Sequence, residues 1–174
     1  GALTLSVTYK YISKDTFVDS DASLDVTDTT KFEKKSQTTY NPIAKGDEKA
    51  DVTTNYKSGG VNVDTTTTYY YHILSNDYSR ASSANADSYM TRSNTLRYDA
   101  TPKQTTYYTG TEAGEEVILW SKEFNYNGTN LKTTTQYTVD SAGALTLSVT
   151  YKYISQDTFV DSDSSLDVTD TTKF

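Results

Sequence analysis

The chain is expected to fold entirely as β-structure, with antiparallel hairpins and meanders forming either a β-solenoid-like spiral or a strand-sharing β-sandwich repeat. Three observations predict this. The composition favours pleated, half-buried surfaces: 16 Tyr, 5 Phe and one Trp, with Thr runs at 65–68 and 133–135. Apolar and polar residues alternate on either side of an Asn-Gly pair, the strongest short hairpin signal. A long segment is also duplicated almost without change, the mark of tandem-repeat architectures.

Composition sets the limits first. Only 34% of the 174 residues are hydrophobic, and mean hydropathy is −0.67. Such a chain can build only a thin core under a polar skin. Its aromatic content nevertheless sets it apart from disordered chains. Net charge is −7 and the pI about 4.6, which argues against a nucleic-acid partner. There is no Cys, so no disulfide framework and no thiolate chemistry. No apolar stretch approaches the ~18 residues of a membrane-spanning helix, so no membrane insertion is expected.

The duplication is the strongest fact in the sequence. Residues 1–32 return at 143–174, differing only at Lys14/Gln156 and Ala22/Ser164. The chain is therefore read as one 142-residue unit (1–32 plus 33–142) followed by the start of the next (143–174), a piece of a longer array. A weaker repeat lies inside the unit. Gln37–Tyr40 matches Gln104–Tyr107, and Thr65–Tyr69 matches Thr133–Tyr137 at a spacing of 68. Diverged half-repeats are expected near 37–104 and 104–142, although competing alignments match 8–13 to 68–75.

Strands follow in turn. A two-residue type I′ turn at Asn127-Gly128 pairs Phe124 with Leu131, Lys122 with Thr133, Trp120 with Thr135 and Ile118 with Tyr137. A turn over 140–144 then sets Leu145 against Val139, Leu147 against Tyr137, Val149 against Thr135 and Tyr151 against Thr133. A hairpin turning at Ser58-Gly59 pairs Tyr56 with Val61, Thr54 with Val63 and Val52 with Thr65. Further strands are expected near 88–99 and 103–109, and a loop or short helix over 76–88. Strand 145–154 pairs with the hairpin before it. Its copy, strand 3–12, has no such hairpin before it, so it is expected to pair with a preceding unit, giving units welded by β-pairing.

The phrases Gly143-Ala144-Leu145, Tyr9-Lys10-Tyr11 and Tyr98-Asp99 resemble YD-type (rearrangement-hotspot, RHS-like) repeats of bacterial extracellular proteins. Ile12 stands where that family's signature has Asp, and no Gly-x-Leu follows Tyr98-Asp99. The resemblance covers about a third of the chain. It implies an extracellular scaffold of spiralling hairpins and transfers no catalytic residue.

Candidate chemistry is sparse. Asp19, Asp21, Ser23, Asp25 and Asp28, with Asp161, Asp163 and Asp167 in the second copy, offer hard oxygen ligands for Ca²⁺. Leu24 stands where a helix–loop–helix calcium site needs Gly, and Thr30 where it needs a bidentate Glu. The competing reading is a strand whose alternate carboxylates face water. His72 is the only histidine and is read as a half-buried strand residue. Glu115 and Glu116 could serve acid–base chemistry but are read as solvated charge beside a strand. The tyrosines serve cross-strand packing or, if exposed, stacking on sugars. Asn127-Gly128-Thr129 is the one glycosylation sequon, and its hairpin role explains it. No catalytic residue is expected.

The functional expectation is a structural repeat of an extracellular fibre, filament, sheath or surface stalk, on a bacterium or archaeon. Its partners would be adjacent copies of itself. The alternative is a glycan- or surface-binding repeat of an adhesin.

Overall fold

A computed structural model describes residues 1–13, 25–154, 168 and 173–174. The described residues are all-β. Ten strands form one antiparallel sheet: β1 (Leu5–Tyr11), β2 (Phe32–Asn41), β3 (Lys49–Tyr56), β4 (Val63–Ile73), β5 (Asn76–Arg80), β6 (Met90–Arg97), β7 (Pro102–Thr109), β8 (Val117–Phe124), β9 (Leu131–Val139) and β10 (Leu145–Lys152). The order is β1-β2-β3-β4-β6-β7-β8-β9-β10, with β5 lying along β4. This is a meander in a single open sheet. The segment 76–88, expected to be loop or short helix, instead begins as the short strand β5 and continues into a 3-10 turn at Ala81–Ser83.

No second sheet faces the first among the described residues. Among the described residues extensive contacts join only strands paired in the sheet, β5 on β4 included, while the 3-10 turn packs across β2, β3 and β4. Burial therefore comes from neighbours on the same face. On one face Tyr107 stacks on Trp120, ring centres 4.1 Å apart, and both are buried. A second cluster gathers Tyr71, Ala81 and Ala84 against Tyr69, Ile73 and Met90. Elsewhere threonine does the work of apolar side chains. Hydroxyls bond across strands between Thr38 and Thr53 (2.8 Å), Thr67 and Thr95 (2.8 Å), and Thr135 and Thr150 (2.9 Å). Each such pair combines a stiff β-branched stem with a hydrogen bond, a recognised source of sheet stability. This gives a physical account of the threonine excess: with no opposing layer, a strand must be held by its lateral partners.

The registers differ from expectation. Phe124 does face Leu131, but beyond a bulge Glu123 faces Thr133, Lys122 faces Thr134 and Trp120 faces Gln136. Leu145 does face Val139, but Leu147 faces Thr138, Val149 faces Gln136 and Tyr151 faces Thr134. The β3–β4 hairpin sets Tyr56 against Val63, Thr54 against Thr66 and Val52 against Thr68. The turns explain the hairpin errors. Neither is a two-residue type I′ turn. Asn125 N–H donates to Asn130 O (2.9 Å) and Gly128 N–H to Asn125 O (3.0 Å), leaving four residues at the tip. Asn127 is not among the positive-φ residues, whereas Gly128 has φ +73°. Asn127 Oδ1 instead accepts from the Thr129 N–H and hydroxyl (3.0 and 2.7 Å). The β3–β4 turn is built alike: Lys57 N–H donates to Asn62 O, Gly60 N–H to Lys57 O, and Gly60 has φ +69°.

That likeness extends through the sheet. Ser36 faces Asn55, Thr38 faces Thr53, Thr39 faces Val52 and, past a bulge, Tyr40 faces Ala50. Exactly 68 residues on, Gln104 faces Glu123, Thr106 faces Ser121, Tyr107 faces Trp120 and, past a bulge, Tyr108 faces Ile118. Pairs Asn55–Thr65 and Tyr56–Val63 likewise return as Glu123–Thr133 and Phe124–Leu131. The Gln-Thr-Thr-Tyr match of the sequence is one residue out of step, since Gln104 occupies the place of Ser36.

Candidate functional site

The element of interest is the strand on which repeats meet. β6 is paired on both edges, with β4 through Thr66–Leu96 and Tyr71–Met90, and with β7 through Ser93–Thr106 and Thr95–Gln104. Each edge has a counterpart at one end of the sheet. β10 meets β9 as β6 meets β4: Thr134–Tyr151 and Val139–Leu145 take the places of Thr66–Leu96 and Tyr71–Met90, each with a bulge at the same step. β1 meets β2 as β6 meets β7: Ser6–Thr38 and Thr8–Ser36 take the places of Ser93–Thr106 and Thr95–Gln104. β1, β6 and β10 therefore occupy one structural position, and β1 and β10 have the same sequence.

Strand 3–12 was expected to lack a partner within the chain. It pairs with β2, on the edge opposite the one β10 gives to β9. The opposite edge of β10 already shows the start of the same hairpin. Tyr153 N–H donates to Lys132 O on one side and Ile154 N–H to Lys173 O (2.8 Å) on the other, as Ile12 N–H donates to Lys31 O (2.8 Å). Tyr153 meets Phe174 edge-on at 5.4 Å, as Tyr11 meets Phe32 at 5.3 Å.

Two carboxylates lock this position. Glu48 Oε1 accepts from the Leu3 N–H (2.8 Å) and Oε2 from the Gly46 N–H (3.0 Å). Glu116 Oε1 accepts from the Met90 N–H (2.8 Å) and Oε2 from the Gly114 N–H (2.9 Å). Each glutamate thus ties its own turn to the strand two places away. The Leu3 hydrogen bond, with further backbone donors, holds the Glu48 carboxyl below its ordinary value. Glu116, read from sequence as solvated charge, is this clasp, while Glu115 is exposed. The recurrence of Gly46-Asp47-Glu48 as Gly114-Glu115-Glu116 at the 68-residue spacing was the available signal.

Of the candidate calcium ligands, Asp25 and Asp28 are described. Asp19, Asp21, Ser23, Asp161, Asp163 and Asp167 lie outside the described residues. Asp25 and Asp28 sit in turns, not in a strand. Asp25 Oδ1 accepts from the Thr27 N–H and hydroxyl (3.0 and 2.6 Å), and Asp28 Oδ1 likewise from Thr30 (2.9 and 2.6 Å). Those bonds, the hydroxyl first, hold both carboxyls below the usual range. Asp99 with Thr101 forms the same clasp in the β6–β7 turn. Among the described residues no three His, Asp or Glu side chains converge as a metal site. His72 Nδ1 lies against Asp77 Oδ1, and its ring stacks on Tyr89 at 4.8 Å.

Two of the hollows among the described residues lie at opposite ends of the strands. One of about 600 Å³ lies among the β2–β3 turn, residues 86–87 and the β7–β8 turn, and is lined by polar groups including Glu48, Asp87 and Glu112. The other, about 270 Å³, lies among the β3–β4, β6–β7 and β8–β9 turns, between Lys57, Arg97, Tyr98, Lys103 and Tyr126.

The chain matches no family model, no curated protein and no solved structure.

Proposed function

We propose that this chain is a building block of an extracellular fibre or surface stalk, in which successive units continue one sheet without a break. The observation that carries this reading is β6. It is a junction between half-repeats with both edges paired, and the strand that opens each 142-residue copy fits the same place on each of its edges. Placing the copies one after another would repeat that junction and leave no flexible linker between units. Continuous pairing also supplies what a single layer lacks, since each unit is stabilised mainly by contacts with its neighbours.

The reading makes a geometric prediction. One unit contributes eight strands to the meander, and at about 4.8 Å per strand the array should lengthen by ~38 Å per unit. Small-angle scattering on chains carrying one, two and three copies of residues 1–142 measures this. A rod of constant cross-section growing by that step is the expected result. Cross-section growth, or units articulating as separate beads, would overturn it.

A further inference from the structure

We propose that the smaller hollow, at the end of the sheet where three alternate turns stand side by side, binds an acidic sugar residue of a polyuronate chain. The proposal does not depend on the fibre reading. Tyr98 and Tyr126 are the aromatic walls, and they are 57% and 69% exposed, against 4% for Trp120. A cation lies against each ring, Lys57 over Tyr98 at 4.1 Å and Arg97 over Tyr126 at 5.5 Å, yet both residues keep more than half of their surface exposed. Their faces match the apolar C–H face of a pyranose ring.

The polar groups fit the same ligand. Lys57, Arg97 and Lys103 put three cations around one small hollow of a chain whose net charge is −7. Arg97 is committed to structure, since it donates to the carbonyls of Pro102 and Phe124. Lys57 and Lys103 both line the hollow, and Lys103 is exposed on β7. Among the described residues neither lysine is in an ion pair. Two ammonium groups beside these exposed rings suit a sugar that carries a carboxylate. Asp64, on the same rim, is placed to accept hydrogen bonds from sugar hydroxyls. In a tandem array the hollow would return once per unit, so a long polymer could engage several copies and convert weak single-site affinity into avidity.

The test is an amide-resolved NMR titration of this chain with a galacturonate tetrasaccharide, beside neutral maltotetraose and a tetraglutamate peptide. The expected result is a set of shifts at Lys57, Tyr98, Lys103 and Tyr126 with the uronate alone. Tyr126→Ala should weaken binding at least tenfold, and Lys103→Ala should weaken it and reduce its salt dependence. Both residues are exposed, so amide positions away from these turns should be unchanged in the variants. No shifts, shifts away from these turns, equal response to maltotetraose, equal response to tetraglutamate, or undiminished binding by Tyr126→Ala would each overturn the proposal.

Discussion

The two halves of the unit share a backbone and differ in what they bury. In both, the same pairs face each other across three strands, with bulges at the same steps. Both close one end with a four-residue tip and an αL glycine, and the other with a glutamate clasp. Yet Thr39 faces Val52 where Tyr107 faces Trp120, and the first half carries the additional β5 and 3-10 turn with their own small cluster. Where nothing covers a single-layer sheet, a face residue meets only lateral neighbours, so a pair can change size with little consequence elsewhere. A turn glycine pressed against backbone has no such freedom.

The largest expected effect lies where the halves differ most. Trp120→Ala should destabilise the chain by about 3 kcal/mol, because it removes a buried ring and its stack on Tyr107. Val52→Ala, at the matching position, should cost about 1 kcal/mol. Urea denaturation of both variants measures the gap, and equal losses would show that Trp120 gains nothing from its stack.

A second experiment tests where the halves agree. A Cβ on Gly60 would lie 2.6 Å from the Lys34 amide nitrogen, and one on Gly128 2.6 Å from Pro102 Cδ. Both residues also have positive φ, so each alanine variant should lose about 2 kcal/mol. Gly59→Ala, at φ +91° but in open space, should lose about 1 kcal/mol. A Gly60→Ala variant no less stable than Gly59→Ala would mean that the close approach to β2 is not enforced.

The smallest effect concerns the clasp and depends on pH. The Glu48 carboxyl is held low when folded, so the unfolded chain binds its proton more tightly. Its contribution is therefore full above the ordinary glutamate value of about 4.3 and is lost as pH falls through the folded value. Wild type should melt higher than Glu48→Gln at pH 7, and the difference should shrink as the pH is lowered into the acid range. A pH-independent difference would leave the clasp without an electrostatic part.

Much of this was legible in the residues. β-branched and aromatic bias with alternation places strands at 90–97 and 102–109 close to the expected 88–99 and 103–109. Leu145 against Val139 and Phe124 against Leu131 follow from apolar pairing beside a turn. The pairs beyond them do not. A bulge adds one residue on one side and turns the rest of the strand to the other face, and no alternation pattern records where that happens. Tyr98 and Tyr126 illustrate the same limit for the hollow. They lie 28 positions apart in sequence, and only the stacking of alternate turns brings them to one rim.

By itself, then, the sequence determined the β class, the antiparallel meander and the 142-residue period, because these rest on local propensity and on identity between copies. Tertiary structure decided the register, the one-residue offset that makes 68 the true spacing of the halves, and which edge of each boundary strand is occupied. Those depend on hydrogen bonds between strands distant in sequence, and on glycines and carboxylates whose roles exist only once the turns stand beside one another.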